Sequence, residues 1–287
     1  MAILLTTLLS FCVLFNCDAD AKPSLSNNSR PFADKWAIVI GVDKFSDPTW
    51  NLKYAANDAI EFQQYLLSDG HFAADHVRLL TGRKATRDAI LQAIDWLGRN
   101  AQSDDLALVF VRTRGTLPRL DSSGESYLAA ADTTADSLAV TGFDQDSFQK
   151  VLLERIHSKD IFLIVDADFS GQMLRPRSFE YMQGPLVSLL PAGHLYALLC
   201  SSGSNEISWE SKHDQHGVFT HCLVTAFTAA GARAGFVGVQ FGKAMTEQVE
   251  KERSRPQHSG GVLHSRRADQ TDLMIAAPAV NPHAPVD

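Results

Sequence analysis

The stretch IFLIVDADFSG, residues 161–171, decides the fold. Five apolar residues, Ile161 to Val165, run unbroken into Asp166-Ala167-Asp168-Phe169-Ser170-Gly171. Such a run predicts a strand buried on both faces, as in a parallel sheet covered by helices on each side. Ligands of open sheets of this kind sit beyond the carboxyl ends of the strands, which makes the polar turn after Val165 the first place to look for chemistry.

The flanking segments repeat the pattern. WAIVIGV (36–42), LALVFV (106–111) and LYALLC (195–200) predict further buried strands, and 76–81 a shorter one. Between them Ala55, Ala59, Phe62 and Leu66 recur at helical spacing over 54–67. Ile90, Ala93, Ile94 and Leu97 do the same behind Thr86, a favourable N-cap, and Phe148, Leu152 and Ile156 over 147–156. Helices are also expected at 219–230 and 241–251, with irregular connections at 121–144 and 169–191. Alternating strand and helix implies an α/β protein with a mainly parallel sheet between two helical layers. No phosphate-cradling G-x-x-x-x-G-K-[ST] and no internal repeat appears.

The chain is long enough for one sizeable core, with 287 residues and 45% apolar content. Its net charge is −7, and residues 1–21 hold Asp18 and Asp20 but no Lys or Arg, so the remainder carries 26 basic against 31 acidic residues, or −5. That sign excludes nucleic-acid binding driven by phosphate neutralisation. Residues 1–21 pair an apolar run, Ile3 to Phe15, with Ala19-Asp20-Ala21, and are expected to be a secretory signal, placing the protein in the periplasm or outside the cell. The run is too short to span a bilayer, so no stable membrane span is expected in the mature chain. Residues 22–34 read as a linker and 258–287 as a peripheral, partly disordered tail, leaving 35–257 as the domain. Cys200, on a strand, and Cys222, on a helix, lack metal-ligand spacing and read as buried small residues. The histidines, including His216 and His221, show no ligand spacing either.

Seven blocks then carry a resemblance over roughly 35–257: WAIVIGVDKF, NLKYAANDA, DDLALVFVRTRG, YLAAADT, FLIVDADFSG, LCSSGSNEISWE and HGVFTHCLVTAF. In order and spacing they resemble the caspase-like domains of metacaspases and bacterial caspase homologues. The resemblance implies a caspase-like three-layer α/β/α sandwich around a mainly parallel six-stranded sheet. It also implies a cysteine endopeptidase whose third strand ends at a general-base His and whose fourth ends at a nucleophilic Cys. Arg114 stands in the place of that His and Asp168 in the place of that Cys. Peptide hydrolysis by this route needs a strong nucleophile and a base that exchanges a proton near neutral pH. Arginine stays protonated in proteins, and a carboxylate attacks an amide poorly. A pseudopeptidase is therefore expected, with an Arg114 to Asp168 salt bridge closing the old site.

The resemblance further implies substrate-pocket roles for Asp166, whose counterpart in metacaspases helps line a pocket for Arg or Lys side chains, for Asp58, which matches the Asp of the family's Asn-Asp pair after the first strand, and for Asp132 nearby. No cofactor is expected from the residues; metacaspases often depend on calcium, which the resemblance leaves open, but no site is identified, since Asp144-Gln145-Asp146 is too short an acidic cluster to claim one. A peptide or a partner caspase homologue, recognised in part through basic side chains, is the expected occupant of the cleft. Two other readings remain open: an active caspase-family endopeptidase using unconventional residues, with Cys200 as the one strand-end thiol of the mature chain, and an exported scaffold without a ligand.

Overall fold

Alternation along the apolar strands builds the molecule. In the computed structural model, residues 32–117, 125–174, 193–230, 235–236, 257–265 and 273–274 are described. Their order is β1 (Lys35–Gly41), α1 (Ala55–Leu67), β2 (Val77–Thr81), α2 (Arg87–Asn100), β3 (Leu106–Thr113), β4 (Tyr127–Leu128), α3 (Leu138–Thr141) and β5 (Phe143–Asp144). There follow α4 (Gln145–Arg155), β6 (Asp160–Ala167), β7 (Leu195–Cys200), β8 (Glu210–Ser211), β9 (His216–Gly217), α5 (Val218–Ala230), β10 (Gly235–Phe236), β11 (Gly260–Ser265) and β12 (Leu273–Met274). Six strands form one sheet in the order β2-β1-β3-β6-β7-β11, parallel except for β11 at the edge.

Successive side chains of a strand face opposite ways. On β3, Ala107, Val109 and Val111 meet Ile90, Ile94 and Leu97 of α2 and Leu152 of α4 in one buried cluster. Leu106, Leu108 and Phe110 meet Phe62 and Leu66 of α1 and Phe219 and Leu223 of α5 in the other. Residues 161–165 of β6 divide in the same way, so the predicted unbroken run is a strand with a core on each face. The sandwich is three-layered and α/β, as the sequence implied. Thr86 caps α2 by accepting from the Ala89 amide at 3.2 Å, and Ala55, Ala59, Phe62 and Leu66 are fully buried.

From β1 the chain crosses to β2 on one side and then to β3 on the other, so strand order reverses between β1 and β3. A crevice at the carboxyl ends follows from that reversal.

Two boundaries shift. Phe32, placed in a linker by its polar, Pro-bearing surroundings, buries its ring in the α1/α5 core, and Ala33 donates to the Asp104 carbonyl at 3.0 Å. The domain does not stop at 257: residues 260–265 pair antiparallel with β7 along its whole length. Gly260-Gly261 and His264 disguise that strand, because backbone pairing on β7 rather than intrinsic preference holds it. The signal expected at 1–21 and the helix expected at 241–251 lie outside the described residues. Among the described residues no helix is long and apolar enough to cross a membrane.

Candidate functional site

Strand β3 ends in Arg112-Thr113-Arg114-Gly115 and β6 in Asp166-Ala167-Asp168. Their parallel register sets Arg112 beside Asp166. The two-residue period of a strand then carries Arg114 and Asp168 one step further in the same phase. Two Arg–Asp rungs result, one at the strand ends and one just inside them.

In the outer rung, Arg114 Nη1 lies 3.1 Å from Asp168 Oδ2, the salt bridge expected from the sequence. Arg114 Nε donates to the Trp50 carbonyl at 3.1 Å, and the Ser208 amide donates to Asp168 Oδ1 at 2.9 Å. The Arg114 side chain is 36% exposed and that of Asp168 only 6%. Burial pushes the Asp168 carboxyl above the ordinary aspartate range, while the charges of Arg114 and Arg112 pull it back. The turn itself is tight. A Cβ on Gly115 would fall 1.8 Å from the Asp168 carbonyl oxygen, so only glycine fits there. Phe169 sits at φ +59°, a left-handed conformation unusual for a bulky residue, with its amide donating to the Glu206 carbonyl at 2.7 Å. Strained backbone of this kind persists only where its surroundings enforce it, and it is common at functional turns. Over the rung opens a cleft of about 230 Å³, with Leu52, Tyr54, Ile207 and Trp209 on its apolar wall and Lys53 and Lys212 at its rim.

The inner rung is a closed cage. Arg112, 1% exposed, directs Nε to Asp58 Oδ2 at 3.2 Å, Nη1 to Asp166 Oδ1 at 3.2 Å and Nη2 to Glu210 Oε1 at 3.7 Å. Burial works to strip its proton, and the charges of Asp166, Asp58 and Glu210 more than restore it. Asp166 also accepts from the hydroxyls of Ser208 and Thr220. Asp58, at the first turn of α1, accepts from the Gly217 amide at 2.9 Å and stands 3.0 Å from His216 Nδ1. Burial raises the Asp58 carboxyl, against the His216 hydrogen bond and the Arg112 charge. A Cβ on Gly217 would meet Asp58 Oδ2 at 2.8 Å, Asp166 Oδ2 at 3.1 Å and Arg112 Nε at 3.2 Å, so the bare backbone of β9 closes the cage.

Asp166 and Asp58 therefore stand together, as the resemblance implied, but fully enclosed and facing Arg112 rather than the open cleft. Asp132 joins neither rung, since its carboxylate accepts from the Arg87 amide at 2.8 Å at the start of α2. Asp144 caps α4 by accepting from the Ser147 amide at 2.7 Å, and among the described residues no group of His, Cys, Asp and Glu has metal-binding geometry. Cys200 and Cys222 are buried free thiols. The sequence reading gave no role to Arg112, Glu210, Ser208 and Gly217, and considered His216 only as a metal ligand. The available signal was Arg112 itself: a charge directly after the apolar run LALVFV must find partners if buried.

The layered fold and a paired turn at the ends of β3 and β6 define the architecture of a caspase-type domain, and the comparisons agree. The family model for the caspase domain matches residues 34–265. The chain belongs to the caspase-domain family of peptidases. A probable protease from a Desulfuromonadales bacterium is 24% identical over 220 residues, 68% of this chain and 26% of that protein. The chain thus spans about a quarter of that relative's length. Caspase-1 from Spodoptera frugiperda shares the fold, with a TM-score of 0.56 and 15% identity over 86% of this chain and 92% of its own. So does a structural-genomics protein from Geobacter sulfurreducens, with a TM-score of 0.59 and 14% identity over 86% and 98%.

Proposed function

We propose that this caspase-family domain is a pseudopeptidase that binds a peptide segment of a partner protein in its cleft without cleaving it. The Arg114–Asp168 contact at 3.1 Å carries the reading. It occupies the two strand ends that the resemblance gives to the general base and the nucleophile. A guanidinium is not a proton-exchanging group in proteins, so arginine at this strand end cannot replace an imidazole that takes a proton from a nucleophile and passes it to a leaving group. Asp168 is bound by Arg114 and by the Ser208 amide, both of which lower the reactivity of its oxygens. The alternative thiol does not rescue activity: Cys200 is fully buried on β7, and burial pushes its pKa far up, which keeps it from forming a thiolate. What remains usable is the cleft, whose apolar wall of Leu52, Tyr54, Ile207 and Trp209 suits side chains of an extended segment. The apolar stretch Ile3 to Phe15 supports export of the chain to the partner's compartment.

Purified protein is expected to turn over no member of a fluorogenic peptide series with basic, acidic and apolar side chains before the scissile bond. Turnover that disappears in Asp168→Asn would overturn the reading. Peptides selected for binding are expected to lose affinity when Ile207→Arg places a charge on the apolar wall.

A further inference from the structure

The outer rung leaves the inner one unexplained. Three carboxylates drawn from α1, β6 and β8 converge on one guanidinium, and each element had to be shaped to bring its carboxylate there. We propose that Arg112 is an internal ligand: its guanidinium fills an anionic site at the floor of the cleft and so keeps Arg and Lys side chains of a bound peptide out of it. The inference rests on the reading of the cleft as a peptide groove.

Three observations carry it. First, the cage and the cleft share walls. Ser208 and Glu210 line the cleft, while Ser208 donates to Asp166 and Glu210 faces Arg112 Nη2. Withdrawing the Arg112 side chain would extend the cleft inward between them to Asp166 and Asp58. Secondly, the site has the chemistry of a guanidinium receptor. Its carboxylates meet separate nitrogens of the planar fork, and acidic groups outnumber the cation they surround. Thirdly, Arg112 fits it loosely. The contacts of 3.2, 3.2 and 3.7 Å are long for charge-assisted hydrogen bonds, which favour about 2.7–2.9 Å. Nη2 is sealed from water with no hydrogen bond at all. A side chain anchored on β3 reaches the cage from its wall, whereas one entering from the cleft could settle between the carboxylates. Gly217 keeps the site open to either, because any side chain there would crowd Asp58 and Asp166.

Thermal melting of the Arg112→Ala protein tests the proposal. Millimolar guanidinium chloride, far below denaturing concentrations, is expected to raise its melting temperature saturably by about 3 °C. Sodium chloride at equal ionic strength is expected not to, and the wild-type protein is expected to respond to neither. Equal responses to the two salts, or an equal guanidinium response in wild type, would overturn the proposal. Should Arg112→Ala not fold, the wild-type protein still decides. Paired peptides that differ only in arginine or its neutral analogue citrulline are expected to bind it within about twofold, because the cage is occupied, and a preference for arginine of about tenfold or more would refute an internal ligand. If neither peptide binds wild type while guanidinium rescues Arg112→Ala, the peptide-groove reading fails and the internal ligand stands.

Discussion

The two Arg–Asp rungs use the same residue types on the same two strands, two positions apart, yet they are physically different objects. Arg112 and Asp166 are walled in, with Asp58 and Glu210 drawn to the same guanidinium. Arg114 and Asp168 form one pair whose arginine still reaches water. In a low-dielectric interior neither member of a pair can be left without the other, whereas at a wet edge solvent replaces whatever is removed. Position along the strand, rather than residue identity, decides which rung is sealed in the core and which stands at the wet edge of the cleft.

Removing the cations one at a time should expose that contrast most strongly. Arg112→Ala leaves buried carboxylates uncompensated and is expected to lower unfolding free energy by about 3–5 kcal/mol in a denaturant titration. Arg114→Ala, whose side chain is partly solvated, is expected to cost about 1 kcal/mol or less in the same titration. Equal costs would mean that the rungs are energetically alike and that burial does not separate them. Between these extremes stands Gly217→Ala. Its added methyl would lie 2.8 Å from Asp58 Oδ2, and the carboxylates must shift, at about 1–3 kcal/mol. The corresponding change beside the outer rung, Gly115→Ala, meets backbone instead of a side-chain tip and has no such easy relief.

The same contrast decides how much of the molecule is legible in its sequence. The strands at 36–42, 106–111, 161–165 and 195–200 announce themselves because a doubly buried strand is an unbroken apolar run, and the outer rung follows from matching two strand-end turns. The cage was hidden, although its members were in plain sight. Asp58 looks like an ordinary acidic residue in the first turn of a helix, Glu210 and Gly217 belong to a short hairpin of two-residue strands, and the Asp58 that His216 meets is far from it in sequence. Only the packing of α1 and α5 on one sheet face brings them to Arg112. Likewise β11 escapes notice because its strand character is supplied by β7, and Phe32 because one aromatic residue in a polar segment carries no periodicity.

The smallest expected effect tests whether the cage is one electrostatic unit. His216 Nδ1 lies 3.0 Å from Asp58 Oδ1 and 3.3 Å from Glu61 Oε2, with Asp214 and the stacked ring of His221 as its other charged or titratable neighbours. The hydrogen bond to Asp58 raises the His216 pKa, burial opposes it, and Glu61 adds to the rise. A group whose pKa is higher folded than unfolded stabilises the fold fully below the unfolded value, near 6.5, and loses that contribution as pH climbs through the folded value. Asp58 and Glu61, raised chiefly by burial, act in the same sense but in the acidic range of carboxylates. Unfolding free energy is thus expected to fall by up to about 1 kcal/mol as pH rises above 6.5, with water at the partly exposed imidazole limiting the size. His216→Gln keeps a donor for Asp58 but cannot titrate, and should flatten that slope. Arg114→Ala should leave the slope in place, because His216 touches the inner rung and not the outer. A slope that vanished with Arg114→Ala instead would join the two rungs into one network and remove the distinction between a buried charge cage and a pair at the wet edge of the cleft.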